Sequence, residues 1–233
     1  MANSSSDPIL TDLTEPQRRA VTYGEGPLLV VAGAGSGKTR VITRRIAHLV
    51  REGTPPERIV GITFTNKAAD EMRLRVRALA GEAVTVRTFH SLCARLLRRE
   101  AQHLDMDPGF SIYDRTDSRR VVRRIRKGKN LDPDTFRPAD LLDQISAWKD
   151  DIIPPSRAKT EAVGNEEETA AEVYTIYEQR LRDNNALDFD DLLVKTVELF
   201  NVCPGVLQRY QNRYLHVLVD EYQDTNLPQH LIA

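Results

Sequence analysis

Short apolar runs alternate with helical patterns over much of the chain. Such runs predict buried strands, and they lie at Leu28–Val31, Ile59–Phe64, Val84–Thr88 and Leu215–Asp220. Each of the first three is followed by apolar residues at helical spacing. These faces comprise Ile42, Ile46, Leu49 and Val50; Ala68, Met72, Val76 and Leu79; and Leu92, Leu96 and Leu97. Strands that alternate with helices pair in parallel, so the pattern predicts an α/β core.

The hydrophobic pattern changes at about Asp114. From there until about Ala186 the strand pattern is absent, and the sequence is charged with helical spacing. We predict an all-helical insertion over 114–186, within an α/β core formed by 10–113 and 187–233. Residues 1–9 are small and polar and predict a disordered tail. The core resumes with a helix near Leu192–Phe200, and another helix opens after Asn226. Because no strand follows Asp220, we expect the core to be incomplete at its C-terminal end.

Composition places few limits on the partner. The chain has 233 residues, 40% of them hydrophobic and 29% charged, with a net charge of −1, so any nucleic-acid binding depends on local patches. The basic run Arg115–Lys129 is one such patch, with two interpretations: a solvated face of an amphipathic helix, or a duplex-contacting surface. Cys93 and Cys203 lie too far apart to indicate a zinc site or a disulfide framework. No apolar run approaches the ~20 residues of a membrane span, and no signal peptide is evident, so a cytoplasmic location is expected.

A glycine-rich loop follows the first predicted strand. It comprises Ala32, Gly33, Ala34, Gly35, Ser36, Gly37, Lys38 and Thr39. Small residues let successive backbone N–H groups turn towards phosphate oxygens, and a helix that starts at the loop adds the positive end of its dipole. In such loops the lysine, here Lys38, reaches the β and γ phosphates and the hydroxyl of Thr39 ligates Mg²⁺. The loop predicts binding of a nucleoside triphosphate.

Two carboxylates follow the last predicted strand, at Asp220 and Glu221. The carboxyl ends of parallel strands form the ligand-binding edge of an α/β sheet, where Asp220 can hold Mg²⁺, usually through its waters. Glu221 can orient or deprotonate the attacking water. An isolated Asp-Glu pair is more often a solvated turn, but an apolar strand and an upstream phosphate loop favour nucleotide hydrolysis.

Several stretches together resemble superfamily 1 helicases of the UvrD/PcrA/Rep type. They are Leu13–Gln17 (Q motif), Gly33–Arg40 (Walker A), Thr63–Ala69 (motif Ia), Thr88–Ser91 (motif Ib), Leu187–Leu192 and Asp220–Asn226 (motif II). The resemblance implies a RecA-like P-loop NTPase subdomain 1A with the helical insertion as subdomain 1B. It also implies that Gln17 hydrogen-bonds the adenine edge and that Arg40 packs beside the base. The implied activity is ATP-dependent unwinding of DNA with 3′→5′ polarity.

Motifs Ia and Ib each begin where a predicted strand gives way to a helix. Hydroxyl, amide and helix N–H groups at such a junction suit DNA phosphates and sugars, and the candidates are Thr65, Asn66, Thr88 and His90. Phe64 and Phe89 are candidates for base stacking, with core packing as the alternative for each. A structural role is the alternative for His90. Trp148 is predicted to lie in the core of the insertion.

The resemblance further implies a glutamine-bearing strand, a second motor domain with arginine fingers, and a duplex-gripping subdomain (2A/2B), none of which the chain contains. We therefore expect the 233 residues alone to bind Mg-ATP weakly, hydrolyse it slowly and not unwind DNA. Single-stranded and forked DNA are the expected partners. The motor of a RecB/AddA-like helicase–nuclease and a non-catalytic nucleotide- or DNA-binding module remain alternatives, and a P-loop kinase fits least.

Overall fold

The computed structural model describes residues 7–233, which form two compact units. The first comprises the described residues up to Phe89 together with Gln208–Asp224, and the second comprises His90–Leu207 with Thr225–Ala233. The helices are α1 (Glu15–Val21), α2 (Lys38–Arg51), α3 (Asn66–Ala80), α4 (Phe89–Glu100), α5 (Arg115–Gly128), α6 (Pro138–Asp150), α7 (Pro155–Glu161), α8 (Asn165–Asp183), α9 (Phe189–Val202), α10 (Pro204–Arg213) and α11 (Leu227–Ile232). The strands are β1 (Ile59–Thr63), β2 (Thr85–Thr88), β3 (Ser111–Tyr113), β4 (Ala186–Asp188) and β5 (His216–Val219). The subdomain boundaries given above stay a prediction.

A three-stranded parallel sheet, in the order β2-β1-β5, forms the centre of the first unit. Every residue of β1 is buried, because helices α2 and α3 pack over it. Gly61 lies at the closest approach, where an added Cβ would meet Ile46 Cδ1 at 3.3 Å and Met72 Sδ at 3.4 Å. The α/β class and parallel pairing predicted from the sequence are confirmed for this sheet.

The strand predicted at Leu28–Val31 is wrong for this structure. The segment lacks regular secondary structure, and Leu29 and Val31 are 72% and 87% exposed. The physical reason is the missing partner: among the described strands β5 pairs with β1 alone, and none pairs with Leu28–Val31. An apolar run becomes a buried strand only where a neighbour accepts its hydrogen bonds and covers its faces.

The second unit is mainly helical. Between Arg115 and Asp183 it contains helices α5 to α8, whose core includes Trp148 stacked on Tyr174 with ring centroids 5.7 Å apart. The prediction that Trp148 is a core residue is confirmed. The sequence did not predict β3 and β4. These two strands precede and follow the helical segment in the chain, and they pair with each other in parallel.

The predicted tail, 1–9, lies mostly outside the described residues. Of its last three residues, Ile9 is 2% exposed and packs in a small cluster with Val21 and Val41. Ordered packing therefore begins earlier than the polar composition predicted. No helix in the described part of the chain is long and apolar enough to cross a membrane.

Candidate nucleotide-binding site

The glycine-rich loop turns tightly before α2. The Ser36 N–H donates to the Gly33 carbonyl at 3.3 Å, and Gly35 and Gly37 have φ values of +75° and +87°, which favour glycine. Gly37 is the N-cap of α2 and no side chain caps this end. The first-turn N–H groups of α2 are therefore oriented as in an anion-binding helix terminus.

The acidic residue after β5 lies beside the start of α2. The Asp220 N–H donates to the Ile62 carbonyl at 2.9 Å, which extends the sheet ladder by one residue. The Thr39 hydroxyl donates to Asp220 Oδ2 at 3.2 Å, joining residues 181 positions apart in the chain. Burial raises the pKa of Asp220, and the hydrogen bond from Thr39 opposes that rise.

Hydroxyl and carboxylate oxygens are ligands that Mg²⁺ accepts, usually together with phosphate oxygens and waters. No group of three or more His, Cys, Asp or Glu side chains that could hold a metal occurs in the described range. Thr39 and Asp220 present one hydroxyl and one carboxylate of this kind side by side.

Lys38 and Glu221 form an ion pair across the same edge. Lys38 Nζ lies 3.6 Å from Glu221 Oε2 and donates to the Ala32 carbonyl at 3.4 Å. Gln223 Nε2 donates to the same Glu221 oxygen at 2.6 Å. Glu221 has a φ of +51°, a left-handed conformation that is uncommon for a residue other than glycine. This bend directs its carboxylate towards the loop lysine.

Gln17 contacts the loop from α1. Its Oε1 accepts from the Thr14 N–H at 3.0 Å, completing a capping box, and its Nε2 donates to the Ser36 carbonyl at 2.9 Å. Arg40 is partly exposed in the first turn of α2. The candidate adenine-side residue is thus brought to the candidate phosphate loop.

The motif Ia residues follow β1. Phe64 is partly buried, and its ring contacts Phe89 edge to face at 6.1 Å. Thr65 caps α3 by accepting from the Ala68 N–H at 3.1 Å, and Asn66 is exposed at the first helical position. Phe89 is only 1% exposed, so base stacking by Phe89 is wrong and core packing is its role. Thr88 is also buried, at 6%.

His90 begins the second unit and is partly exposed, with a pKa lowered by burial. Its ring meets Phe189 edge to face at 5.6 Å. Phe189 is 47% exposed and was not chosen from the sequence as a candidate. Phe189 directly follows Asp188, the N-cap of α9. An aromatic residue at the start of a helix can lie outside the core, so this position was the signal in the sequence for an exposed ring.

The second unit also buries a cation that sequence reasoning missed. Lys149 Nζ lies 2.8 Å from Asp188 Oδ2, 2.6 Å from Asp191 Oδ1 and 2.8 Å from Glu178 Oε1, and its side chain is 1% exposed. Burial alone would lower the pKa of Lys149, but these carboxylates raise it well above 10.5. Burial and Asp188 raise the pKa of Asp191 well above its ordinary value. The cluster joins α6, α8 and the start of α9.

Comparison with known proteins identifies the family. The family model of the UvrD/REP helicase N-terminal domain matches residues 13–233, so the chain belongs to the UvrD/REP helicase family. It is 44% identical over 229 residues to the ATP-dependent DNA helicase PcrA of Staphylococcus aureus, covering 97% of this chain and 31% of that protein. It is 43% identical over 235 residues to the protein of the same name from Bacillus subtilis, covering 99% of this chain and 32% of that protein. The chain thus spans about a third of the length of these relatives.

Proposed function

We propose that this chain is the ATP-binding part of a DNA helicase motor that hydrolyses ATP to move along single-stranded DNA and unwind duplex. The observation that carries the proposal is the hydrogen bond of 3.2 Å between Thr39 and Asp220. It joins a phosphate-binding loop to an acidic strand end, the two parts that P-loop ATPases need at one edge. The relatives named as ATP-dependent DNA helicases support the choice of activity.

In the proposed mechanism, the loop residues Ala32–Gly37 and the start of α2 bind the phosphates through backbone N–H groups. Lys38 leaves the carboxylate of Glu221 and neutralises the β and γ phosphates. Thr39 and Asp220 would hold Mg²⁺, which would offset the negative charge on the phosphates. Glu221, released from Lys38, orients the water that attacks the γ phosphorus and accepts its proton, while the bond from that phosphorus to the β-phosphate oxygen breaks and ADP leaves. Gln17 and Arg40 bind the adenine side.

We further propose that DNA is held through its phosphates and sugars by groups at helix starts. Thr65 and Asn66 lie at the start of α3, and Phe64 is partly exposed beside them. In the second unit, His90 with Phe189 offers an exposed aromatic edge for base stacking. The solvated arginines of α5 are the proposed contact for the duplex arm of a fork. A RecA-like core (1A), a 1B insertion and 3′→5′ polarity are also proposed on the family resemblance.

The chain alone is proposed to be a slow ATPase. In related phosphoryl-transfer enzymes an arginine finger supplies roughly 10³–10⁵ in rate, and the resemblance assigns such arginines to a second motor domain. The chain covers 31% of the S. aureus relative, so the complete unwinding activity is a proposal about a longer protein. Binding of ATP and of single-stranded DNA is proposed for these residues themselves.

The test measures ATP hydrolysis and binding of ATP and single-stranded DNA by the purified chain. The Lys38→Ala variant is expected to lose nucleotide binding, because the charge on the phosphates is no longer neutralised. Lys159→Ala is the matched control, since Lys159 is an exposed lysine on α7 in the second unit. DNA affinity is expected to fall steeply with added salt, as phosphate contacts require.

Equal nucleotide binding by the unaltered chain and Lys38→Ala would overturn the nucleotide site. Absence of salt-dependent DNA binding would overturn the DNA-binding role while leaving an ATP-binding module. Fast turnover stimulated by DNA would overturn the slow-ATPase proposal only. Nucleotide binding, DNA binding and ATP turnover are thus measured separately on one protein preparation.

A further inference from the structure

Two adjacent arginines on α2 hold the segment that carries Gln17. Arg45 is 9% exposed, and its guanidinium contacts backbone carbonyls. Nη1 lies 3.2 Å from the Ala20 oxygen, 3.3 Å from that of Val21 and 2.7 Å from that of Tyr23. Nη2 donates to the Gly24 carbonyl at 3.4 Å.

These carbonyls lie at the end of α1 and just beyond it. The last carbonyls of a helix have no partner within the helix and carry its negative dipole end, so a buried cation there satisfies both requirements. The planar guanidinium reaches several carbonyls at once, which an ammonium group cannot match in geometry. Arg45 therefore fixes the C-terminal end of α1 against α2.

Arg44 performs the same task on the N-terminal side of α1. Its Nη1 donates to the Ile9 carbonyl at 2.8 Å and also to the Thr11 carbonyl. Those residues precede Thr14, the N-cap of α1. The α1 segment is thus held before and after the helix by neighbouring residues of the helix that begins at the phosphate loop.

Gln17 packs directly against the phosphate loop. Its amide donates to the Ser36 carbonyl at 2.9 Å, and its Nε2 lies 3.1 Å from where a Cβ on Gly37 would stand. Such close packing makes this contact sensitive to the position of α1, because a hydrogen bond weakens steeply with misalignment.

We infer that Arg44 and Arg45 are positioning residues for base recognition: they set the distance between Gln17 and the phosphate loop, and thereby the preference for adenine. The inference rests on the proposed adenine contact of Gln17. The arginines contact neither nucleotide nor DNA in this assignment. We expect their effect to fall on the base side of the site, since the loop backbone and Lys38 bind the phosphates in the proposed mechanism.

The experiment compares competition by ATP, GTP and inorganic tripolyphosphate against a fluorescent ATP analogue bound to the 233-residue chain. Arg45→Lys keeps the charge and removes the planar fork. We expect its ATP affinity to fall about 5- to 10-fold towards that of GTP, while tripolyphosphate affinity stays within about twofold. Gln17→Ala is expected to give the same pattern, and Arg77→Lys, an exposed arginine on α3, to change nothing.

A purely structural role gives a different result, in which affinities for ATP, GTP and tripolyphosphate fall in the same proportion. That outcome overturns the inference, as does an unchanged ATP preference in Gln17→Ala. If Arg45→Lys does not fold, Arg44→Lys carries the same test, with faster hydrogen exchange of α1 expected. Failure of the unaltered chain to bind tripolyphosphate overturns the proposed nucleotide site itself.

Discussion

The two units of the molecule differ in how far their lysine–carboxylate pairs are exposed to solvent. In the first unit, the side chains of Lys38 and Glu221 are 24% and 39% exposed and lie 3.6 Å apart. In the second unit, the side chains of Lys149 and Asp191 are 1% and 4% exposed and lie 2.6 Å apart. Both are lysine–carboxylate pairs, so the difference in exposure, and not in residue type, separates their roles.

An exposed pair contributes about 0–1 kcal/mol because water competes for both partners. It can therefore open when a phosphate arrives, as the proposed nucleotide site requires. A buried cluster is different, since removing one partner leaves charge without water or counter-charge. The cluster around Lys149 thus fixes α6, α8 and α9, whereas the pair at Lys38 remains available for a ligand.

The largest expected effect is the loss of the buried cation. Lys149→Met should lower the free energy of unfolding by about 3–5 kcal/mol, because Asp188, Asp191 and Glu178 lose their counter-charge. Trp148 is the single tryptophan of the chain and lies in the core of the second unit. Its fluorescence during urea unfolding therefore reports on the second unit.

Lys129→Met is the matched control. Lys129 pairs with Glu172 at 2.6 Å, but the two side chains are 31% and 48% exposed, so its loss should cost about 0–1 kcal/mol. Similar costs for the two variants would break the comparison between buried and exposed pairs, because burial would then not determine the strength of the interaction.

The sequence predicted β1 and β2 from apolar runs that α3 packs against, and it predicted β5 from its apolar run alone, since Val217 in β5 is 40% exposed. It did not predict the Lys149 cluster, because that lysine meets Asp188 only across 39 residues and no local periodicity indicates the contact. Lys38, Thr39, Asp220 and Glu221 were found as candidates because their spacing around loop and strand is characteristic. The bend at Glu221 and the exposure of Phe189 depend on tertiary packing and could not be predicted.

Acid should weaken the first unit more than the second. Burial lowers the pKa of His48 and His216 in the first unit and of His90 in the second. A histidine with a lowered folded pKa stabilises the fold fully above its unfolded pKa of about 6.5, and that stability falls as the pH drops below it. Two of these histidines lie in the first unit and one lies in the second, so the loss of stability on acidification should be larger in the first unit.

Unfolding is therefore to be measured at pH 7.5 and pH 6.0. Hydrogen exchange of β1, corrected for its intrinsic pH dependence, reports on the first unit, and Trp148 fluorescence reports on the second. A larger acid effect on the second unit would contradict the expected direction. Substitution of His216 by Gln should reduce the acid effect on β1.

A smaller effect is expected when the exposed pair is removed. Glu221→Gln frees Lys38 from its carboxylate, so affinity for tripolyphosphate should rise about 2- to 5-fold, while ATP hydrolysis should fall. Asp224→Asn removes a nearby carboxylate, which accepts a hydrogen bond from Gln223 Nε2 at 3.2 Å. This variant should change the affinity for tripolyphosphate less. An equal rise in both variants would assign the gain to overall charge and not to the ion pair.

The smallest expected effect tests the apolar segment before the phosphate loop. Val31 is 87% exposed and Val86 is 2% exposed, so the same change to threonine should have different costs. Val31→Thr should alter the free energy of unfolding by no more than about 0.5 kcal/mol. Val86→Thr should cost about 1–3 kcal/mol, because its hydroxyl is buried in the apolar core of the first unit.

The two threonine variants distinguish the apolar composition of Leu28–Val31 from its packing. Urea unfolding followed by hydrogen exchange of β1 measures both costs in the same unit. If Val31→Thr costs as much as Val86→Thr, the segment is buried in solution as the sequence predicts, and the open edge of the first unit is closed. If Val31→Thr costs nothing, an apolar run alone does not make a strand. Leu28–Val31 would then join the sheet only where β5 offers it a pairing edge.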